Sequence, residues 1–83
     1  MNDDLNKMVR TLIAPLVAYE DKLDIEIDDQ PDVIQFIIHS APSDVGRLIG
    51  RNGSVAENIQ QIIRAFGHLG LKKVQVSVIG NND

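Results

Sequence analysis

The sequence predicts an α+β fold with the element order helix, strand, strand, helix, helix, strand. Three observations lead to this prediction: an N-terminal apolar stripe with helical spacing, three short stretches of β-type residues, and a second helical stripe behind a pair of glycines. The chain has 83 residues, which is the length of one domain. We therefore expect a single domain over residues 1–83, with residues 80–83 as a frayed tail.

The N-terminal stretch has the pattern of an amphipathic helix. Its apolar residues recur every three or four positions: Leu5, Met8, Val9, Leu12, Ile13, Leu16 and Val17. Asp3 or Asp4 is suited to cap the first turn. Pro15 lies inside the stripe and has no backbone N–H to donate, so we expect it to kink the helix. Because the stripe continues beyond the proline, the sequence predicts a kinked helix that ends near Ala18 or Tyr19.

Two strands joined by a turn are predicted next. Residues 23–27 alternate apolar and acidic side chains, which is typical of a strand with one solvated face. Residues 28–32 include Pro31 and have the composition of a turn. Residues 33–39 form the most strand-like run of the chain and are expected to be mostly buried. These two strands should pair as an antiparallel hairpin, and a last alternating strand is predicted over residues 72–79.

Between the hairpin and the last strand, the sequence predicts a short helix, a tight glycine loop and a long helix. Residues 43–49 form the short helix, with a serine or an aspartate at its start. Ser54 and Glu57 have the spacing of a capping box at the start of the long helix. The long helix has one apolar face, made of Val55, Ile59, Ile62, Ile63 and Phe66. Gly67 is the expected end of that helix.

The glycine loop has the features of a phosphate clamp. Gly50 and Gly53 enclose Arg51 and Asn52 directly before the long helix. Glycine permits the backbone angles of a tight turn and lets another backbone approach closely. The N-terminus of the following helix favours a phosphate, and Arg51 adds a full positive charge. A Gly-x-x-Gly pair taken alone is common, and in most chains it is only a structural turn.

The charge is unevenly distributed along the chain. A net charge of −4 argues by itself against a nucleic-acid partner. Residues 1–32 carry nine acidic and three basic side chains, however, whereas residues 33–83 carry three acidic and five basic ones. Arg47, Arg51 and Arg64 all lie in or beside the loop and the long helix. We therefore expect any affinity for nucleic acid to be weak and to fall readily with salt.

Several classes of protein are disfavoured by composition. The sequence contains no cysteine, so it has neither disulfides nor thiolate metal sites. His39 and His68 are isolated, and the glycine loop lacks the Lys-Ser/Thr ending of a nucleotide-binding P-loop. We expect no catalytic residues, no metal, no cofactor and no enzyme activity. The acidic N-terminus and the lack of a long apolar run predict a cytoplasmic protein without a membrane contact.

The stretch over residues 44–53 resembles the signature of KH domains. It reads Asp-Val-Gly-Arg-Leu-Ile-Gly-Arg-Asn-Gly, and the Ile-Gly-x-x-Gly loop of KH domains clamps the backbone of about four single-stranded nucleotides. The likeness extends over nearly the whole chain and includes Pro15 in the first helix, Ile25-Glu26-Ile27 and the acidic turn with Pro31. Over this extent the chain resembles the KhpA family of small stand-alone bacterial KH proteins.

This resemblance implies a fold and a function. The fold would be that of a type II KH domain, in which a mixed three-stranded sheet packs against three helices. The function would be that of a single-stranded RNA-binding protein or RNA chaperone that forms homodimers. Members of the family also pair with a larger RNA-binding partner of the KhpB (Jag) type and are linked to cell elongation and wall homeostasis.

The resemblance places the RNA in a groove between the short helix, the loop and the long helix. The residues expected to bind it are Gly50, Arg51, Asn52, Gly53, Arg47, Ser54, Ile49 and Val45. Arg51 would contact phosphate, while Val45, Leu48 and Ile49 are candidates for an apolar floor beneath the bases, some of which must instead be core. Arg47 either flanks the groove or forms an ion pair with Asp44.

An alternative function is a protein-interaction (dimerisation) module with weak or vestigial RNA binding. The family often has basic residues where Asn52 and Ser54 stand here, and the outer face of the long helix lacks a basic stripe. That face, with Gln60, Gln61 and Arg64, is a candidate dimer surface because it has no evident role in RNA binding.

Overall fold

The part of the chain that the structure describes contains three α-helices, four short 3₁₀ turns and one three-stranded sheet. The computed structural model describes residues 2–66 and 72–81. The helices are α1 (Asn2–Ile13), α2 (Val45–Ile49) and α3 (Ser54–Phe66). The strands are β1 (Asp24–Asp29), β2 (Val33–Ser40) and β3 (Lys73–Gly80). The predicted α+β class and element order are confirmed; Gly67, the expected end of α3, lies outside the described residues.

The sheet is mixed, as the resemblance implied. Its order is β1-β2-β3, so that β2 is central. β1 pairs with β2 in antiparallel orientation, and β3 pairs with β2 in parallel orientation. Parallel neighbours need a crossover connection, and here the crossover contains α2, the glycine loop and α3.

The predicted hairpin is present, but β1 is longer than expected. It continues through Asp28 and Asp29, which pair with Gln35 and Ile34 although their composition favours a turn. The reversal itself is confined to residues 30–32 and is closed by a 2.8 Å hydrogen bond from the Gln30 N–H to the carbonyl oxygen of Val33.

One face of the sheet carries the hydrophobic core, and all three helices pack against that face. Buried and half-buried residues alternate along β2, so only Ile34, Phe36 and Ile38 of the predicted strand are fully enclosed. The core cluster consists of Leu5, Val9, Ile13, Leu23, Ile25, Ile34, Phe36, Ile38, Leu48, Ile59, Ile63 and Val74. In α3, Ile59 and Ile63 therefore form the centre of the predicted apolar face.

The prediction of a kinked helix that reaches Ala18 or Tyr19 is wrong. The α-helix ends at Ile13 and is followed by a 3₁₀ turn over Ala14–Leu16 that contains the proline. The proline cannot continue the helical hydrogen bonds. The N–H groups of Ala18 and Tyr19 then donate to the carboxylate of Asp44, far along the chain, instead of to helical carbonyls. The helix therefore ends here for two reasons. Pro15 cannot donate a helical hydrogen bond, and Asp44 accepts the next N–H groups in place of helical carbonyls.

The first two residues of the predicted tail, Gly80 and Asn81, are bonded or paired to the sheet in the structure. Gly80 pairs with Ser40 as the last residue of β3, and the Asn81 N–H donates to the Ser40 carbonyl oxygen at 2.8 Å. The strand therefore includes the first residue of the expected tail. Within residues 2–66 and 72–81, none of the helices is both long enough and apolar enough to cross a membrane.

Candidate nucleic-acid interface

The glycine loop forms a sharp turn between α2 and α3. Gly50 leaves α2 with φ 76° and ψ 175°, Asn52 is left-handed at φ 57° and ψ 28°, and Gly53 has φ 78°. Two backbone hydrogen bonds hold the turn, from the Gly50 N–H to Gly46 O at 2.9 Å and from the Gly53 N–H to Gly50 O at 3.2 Å. Three of four consecutive residues thus have backbone angles that L side chains rarely adopt.

The two loop glycines are required for different reasons. A Cβ atom at Gly50 would lie 2.8 Å from the backbone nitrogen of Val55 and would also contact the side chain of that residue. A Cβ atom at Gly53 would meet nothing within 4 Å. Packing against α3 therefore explains Gly50 without any ligand, whereas the space beside Gly53 is open to an approaching backbone.

The polar residues of the loop all face solvent. Arg51, Asn52 and Ser54 are exposed. In the described part of the chain, the ion pairs are formed by Glu26, Asp29 and Asp44 with other cations, and Arg51 belongs to none of them. The guanidinium of Arg51 is therefore available to an external anion at the tip of the turn.

The predicted capping box at the start of α3 is not formed. Ser54 has φ −63° and ψ −38°, which are helical angles, whereas a capping residue has non-helical ones. The positive φ of Gly53 already turns the chain into the helix, so Ser54 is the first helical residue and its hydroxyl is exposed to solvent.

The apolar residues of α2 divide between the core and the surface. Leu48 is 0% exposed and belongs to the core. Ile49 is 37% exposed, and Val45 is half-buried. Of the three candidates for an apolar floor, Leu48 is therefore core, and Val45 and Ile49 are the two that a ligand can reach.

Arg47 forms the ion pair with Asp44 that its spacing allows. Its Nη1 atom lies 2.9 Å from Asp44 Oδ1, and its side chain remains 58% exposed. The two hypotheses for Arg47, an ion pair with Asp44 and a position beside the groove, are therefore compatible. One edge of the guanidinium binds Asp44, and its remaining N–H groups face solvent beside α2.

Asp44 is a buried carboxylate directly before α2, and most of its hydrogen-bond partners were not predictable from the sequence. Its side chain is 0% exposed, and its oxygens accept the N–H groups of Ala18 and Tyr19 at 3.0 Å each. It does not cap α2, although it directly precedes that helix. The Ala18 N–H lowers the pKa of Asp44, burial opposes this shift, and the Tyr19 N–H and Arg47 lower the pKa further.

The lowered pKa of Asp44 predicts a loss of stability in acid. In the unfolded chain this carboxyl titrates near 3.8, and in the folded chain it titrates lower. The unfolded state therefore binds more protons in that range, so stability is fully present above about pH 5 and is lost as the pH falls through the folded pKa. The urea midpoint of the native protein should be similar at pH 7 and pH 5 and lower at pH 3, whereas the midpoint of Asp44→Asn should fall much less between pH 5 and pH 3.

Asp24→Asn is the matched control for this experiment, because Asp24 is an exposed carboxylate on β1. Its acid decline should follow that of the native protein. Parallel declines for Asp44→Asn and the native protein would show that Asp44 is not the responsible group.

Metal and acid–base chemistry have little support at the loop or elsewhere in the described structure. Within residues 2–66 and 72–81, no group of three or more His, Asp or Glu side chains is placed to hold a metal ion. His39 Nε2 lies 3.3 Å from Glu26 Oε1 on the neighbouring strand, so this histidine has a carboxylate partner that the sequence did not indicate. His68 lies outside the described residues.

Comparison with known families agrees with this geometry. A family profile described as the KhpA/KhpB KH domain matches residues 6–78. The chain belongs to the KhpA/KhpB KH-domain family. The matched KH domain contains the whole loop, from Gly50 to Gly53, and both helices that flank it. The family is non-enzymatic, so the expectation that the chain is not an enzyme is confirmed.

Several curated proteins are similar to this KH domain over most of their length. The RNA-binding protein KhpA of Lactiplantibacillus plantarum is 29% identical over 75 residues, which are 90% of this chain and 88% of the relative. The RNA-binding protein KhpA of Streptococcus pneumoniae serotype 4 is 33% identical over 61 residues, which are 74% of this chain and 77% of the relative. The RNA-binding protein KhpA of Oceanobacillus iheyensis is 24% identical over 75 residues, with 90% and 100% coverage.

Proposed function

We propose that this protein binds single-stranded RNA through the glycine loop. The observation that carries the proposal is the turn itself: Gly53 leaves open space beside the backbone, and Arg51 at the tip is exposed and outside the described ion pairs. Membership of a KH-domain family and the names of the relatives support RNA as the ligand.

In the proposed complex, the loop holds phosphates and α2 supports the bases. Arg51 pairs with a phosphate, and the partial positive charge at the N-terminal end of α3 favours the same anion. Asn52 and Ser54 contribute hydrogen bonds from uncharged groups, and Arg47 lies beside the bound RNA. Val45 and Ile49 are the apolar residues available for contact with bases.

The experiment that tests this proposal compares RNA binding by the native protein and by Arg51→Asp with Asn52→Asp. Aspartate tolerates the left-handed conformation of Asn52 almost as well as asparagine does, so the fold should survive. Loss of a charged hydrogen bond to phosphate, with repulsion added, should weaken binding to a mixed-sequence single-stranded pool by at least roughly tenfold. Filter binding at several salt concentrations measures the affinity, and circular dichroism confirms folding.

Lys7→Asp with Thr11→Asp is the matched control. Both residues are exposed on α1, and this pair lowers the net charge by the same three units as the loop variant. The control should bind as the native protein does, apart from a small general effect of charge. Equal loss in both variants would show that overall charge, and not the loop, determines binding.

The second candidate function is a protein-interaction module. The net charge of −4 and the neutral, exposed Asn52 and Ser54 favour it. If the native protein and the loop variant bind RNA equally poorly, the chain is better understood through the protein with which it associates.

We further propose a homodimer that also pairs with a larger KhpB (Jag-type) RNA-binding protein and acts as an RNA chaperone in the cytoplasm, with a role in cell elongation and wall homeostasis. The resemblance to the KhpA family supports these proposals. A single domain of 83 residues also has a modest core, which self-association would reinforce. Sedimentation equilibrium of the protein alone, and after mixing with the partner, tests both associations; a monomer in each case would contradict them.

A further inference from the structure

A small cavity lies at the end of α2 that is remote from the glycine loop. Its volume is about 170 Å³, and it is lined by Tyr19, Lys22, Ala41, Pro42 and Asn81. The lining is mainly apolar. Clefts that enclose drug-sized ligands have volumes of roughly 300–1,000 Å³. The cavity is therefore suited to one planar ring system rather than to a larger ligand.

The backbone around this cavity is fixed by hydrogen bonds from three parts of the chain. The Tyr19 N–H donates to the buried carboxylate of Asp44 at 3.0 Å. The Lys22 N–H donates to Tyr19 O at 3.0 Å, and the Asn81 N–H donates to Ser40 O at 2.8 Å. The walls are thus held in place before any ligand arrives, which lowers the cost of binding.

The side chains at the cavity suit a nucleobase. Tyr19 is 53% exposed, and it is the single tyrosine of a chain that has no tryptophan. An exposed aromatic ring is a platform on which any base can stack. Asn81 adds an amide, which both donates and accepts hydrogen bonds as the edge of a base does.

We propose that this cavity binds one base of a single-stranded RNA, stacked on Tyr19, as a subsite separate from the glycine loop. This inference rests on the proposed function of the loop. The helical segment between them runs from Pro42 to Ile49, and its eight residues correspond to roughly 10–14 Å. An RNA molecule whose phosphates are bound at the loop can therefore also place one of its bases in the cavity.

The lining of the cavity indicates that the base, and not its phosphate, is held there. Tyr19, Ala41, Pro42 and Asn81 are uncharged, and the exposed surface of the lining is mainly apolar. Stacking of a neutral ring does not release counterions, whereas phosphate contacts do. The contribution of Tyr19 to affinity should therefore stay nearly constant as salt rises, while that of the loop declines.

The experiment uses random-sequence single-stranded RNA of four and of eight nucleotides, with the intrinsic emission of Tyr19 as the reporter. Because the chain has one tyrosine and no tryptophan, this emission reports Tyr19 alone. The octamer should quench the emission. Tyr19→Ser should weaken octamer binding roughly 5- to 150-fold and leave tetramer binding at the loop within twofold. Tyr19→Phe should retain most of the octamer affinity.

Leu16→Ser is the matched control, because Leu16 is a nearby apolar residue that is 40% exposed and does not line the cavity. It should bind both RNA lengths as the native protein does. Octamer binding without a change in Tyr19 emission, or an equal effect of Tyr19→Ser on both lengths, would overturn the subsite and leave the loop proposal intact. A change of oligomeric state in Tyr19→Ser would likewise overturn it, in favour of a protein contact.

Two further results separate the subsite from the loop. If the Arg51→Asp and Asn52→Asp variant loses tetramer binding but the octamer still quenches Tyr19, both sites are supported. If the native protein binds neither length, the proposed function and the subsite both fail.

Discussion

Leu48→Ala is expected to destabilise the protein by about 2–5 kcal/mol, the usual cost of removing a fully buried leucine side chain. Leu48 is 0% exposed, and it is the residue by which α2 joins the core cluster. With five residues, α2 is far too short to be stable without packing. Thermal unfolding followed by circular dichroism should show a fall in Tm of roughly 10–30 °C.

Ile49→Ala is the control for this prediction, because it removes a similar side chain from the next position of the same helix. Ile49 is 37% exposed, so its replacement should cost less than about 1 kcal/mol. On the proposed function it should instead weaken RNA binding. Equal values of Tm for the two variants would contradict the assignment of Leu48 to the core and of Ile49 to the ligand side.

Gly50→Ala is the second substitution for which we expect a large effect, about 2–6 kcal/mol of lost stability. Backbone strain supplies part of this cost, because φ 76° with ψ 175° is a region that essentially only glycine occupies. Overpacking supplies the rest, because the added Cβ would lie 2.8 Å from the Val55 backbone nitrogen. Urea unfolding measures the free energy directly.

The other glycines of this segment provide graded controls. Gly53→Ala should cost about 1–2 kcal/mol, because its φ is positive but nothing lies within 4 Å of the new atom. Gly46→Ala should be neutral or slightly stabilising, since Gly46 lies inside α2 with open space around it. If Gly50→Ala and Gly53→Ala were equally tolerated, the close contact with Val55 would not be what fixes the turn.

The helices and strands of this fold could be predicted from local patterns. Each apolar stripe of a helix, and each alternation of apolar and polar residues in a strand, involves only a few neighbouring residues. The limits of α1 were not predictable in this way. Its end depends on Asp44, whose partners are 25 and 26 residues away in sequence. A carboxylate at the start of a helix normally indicates a cap, and no local pattern shows that it binds another segment instead.

The start of α3 illustrates the same limit on a smaller scale. Ser-x-x-Glu is a good capping signal, but the glycine before it takes a positive φ and shifts the helix start by one residue. The loop residues themselves could be predicted from the sequence as a motif. The division of α2 into a buried Leu48 and an exposed Ile49 required the position of the sheet.

The crossover between β2 and β3 determines when the proposed binding surface can form during folding. The loop lies inside the connection between two parallel strands, and their pairing joins residues 40 positions apart, such as Ile34 and Val74. Such long-range pairing forms slowly compared with local helices and hairpins. The β1–β2 hairpin can close early, but α2 and the turn at Gly50 are anchored at both ends only after β3 has docked. On the proposed function, we therefore expect competence to bind RNA to be acquired at the last stage of folding.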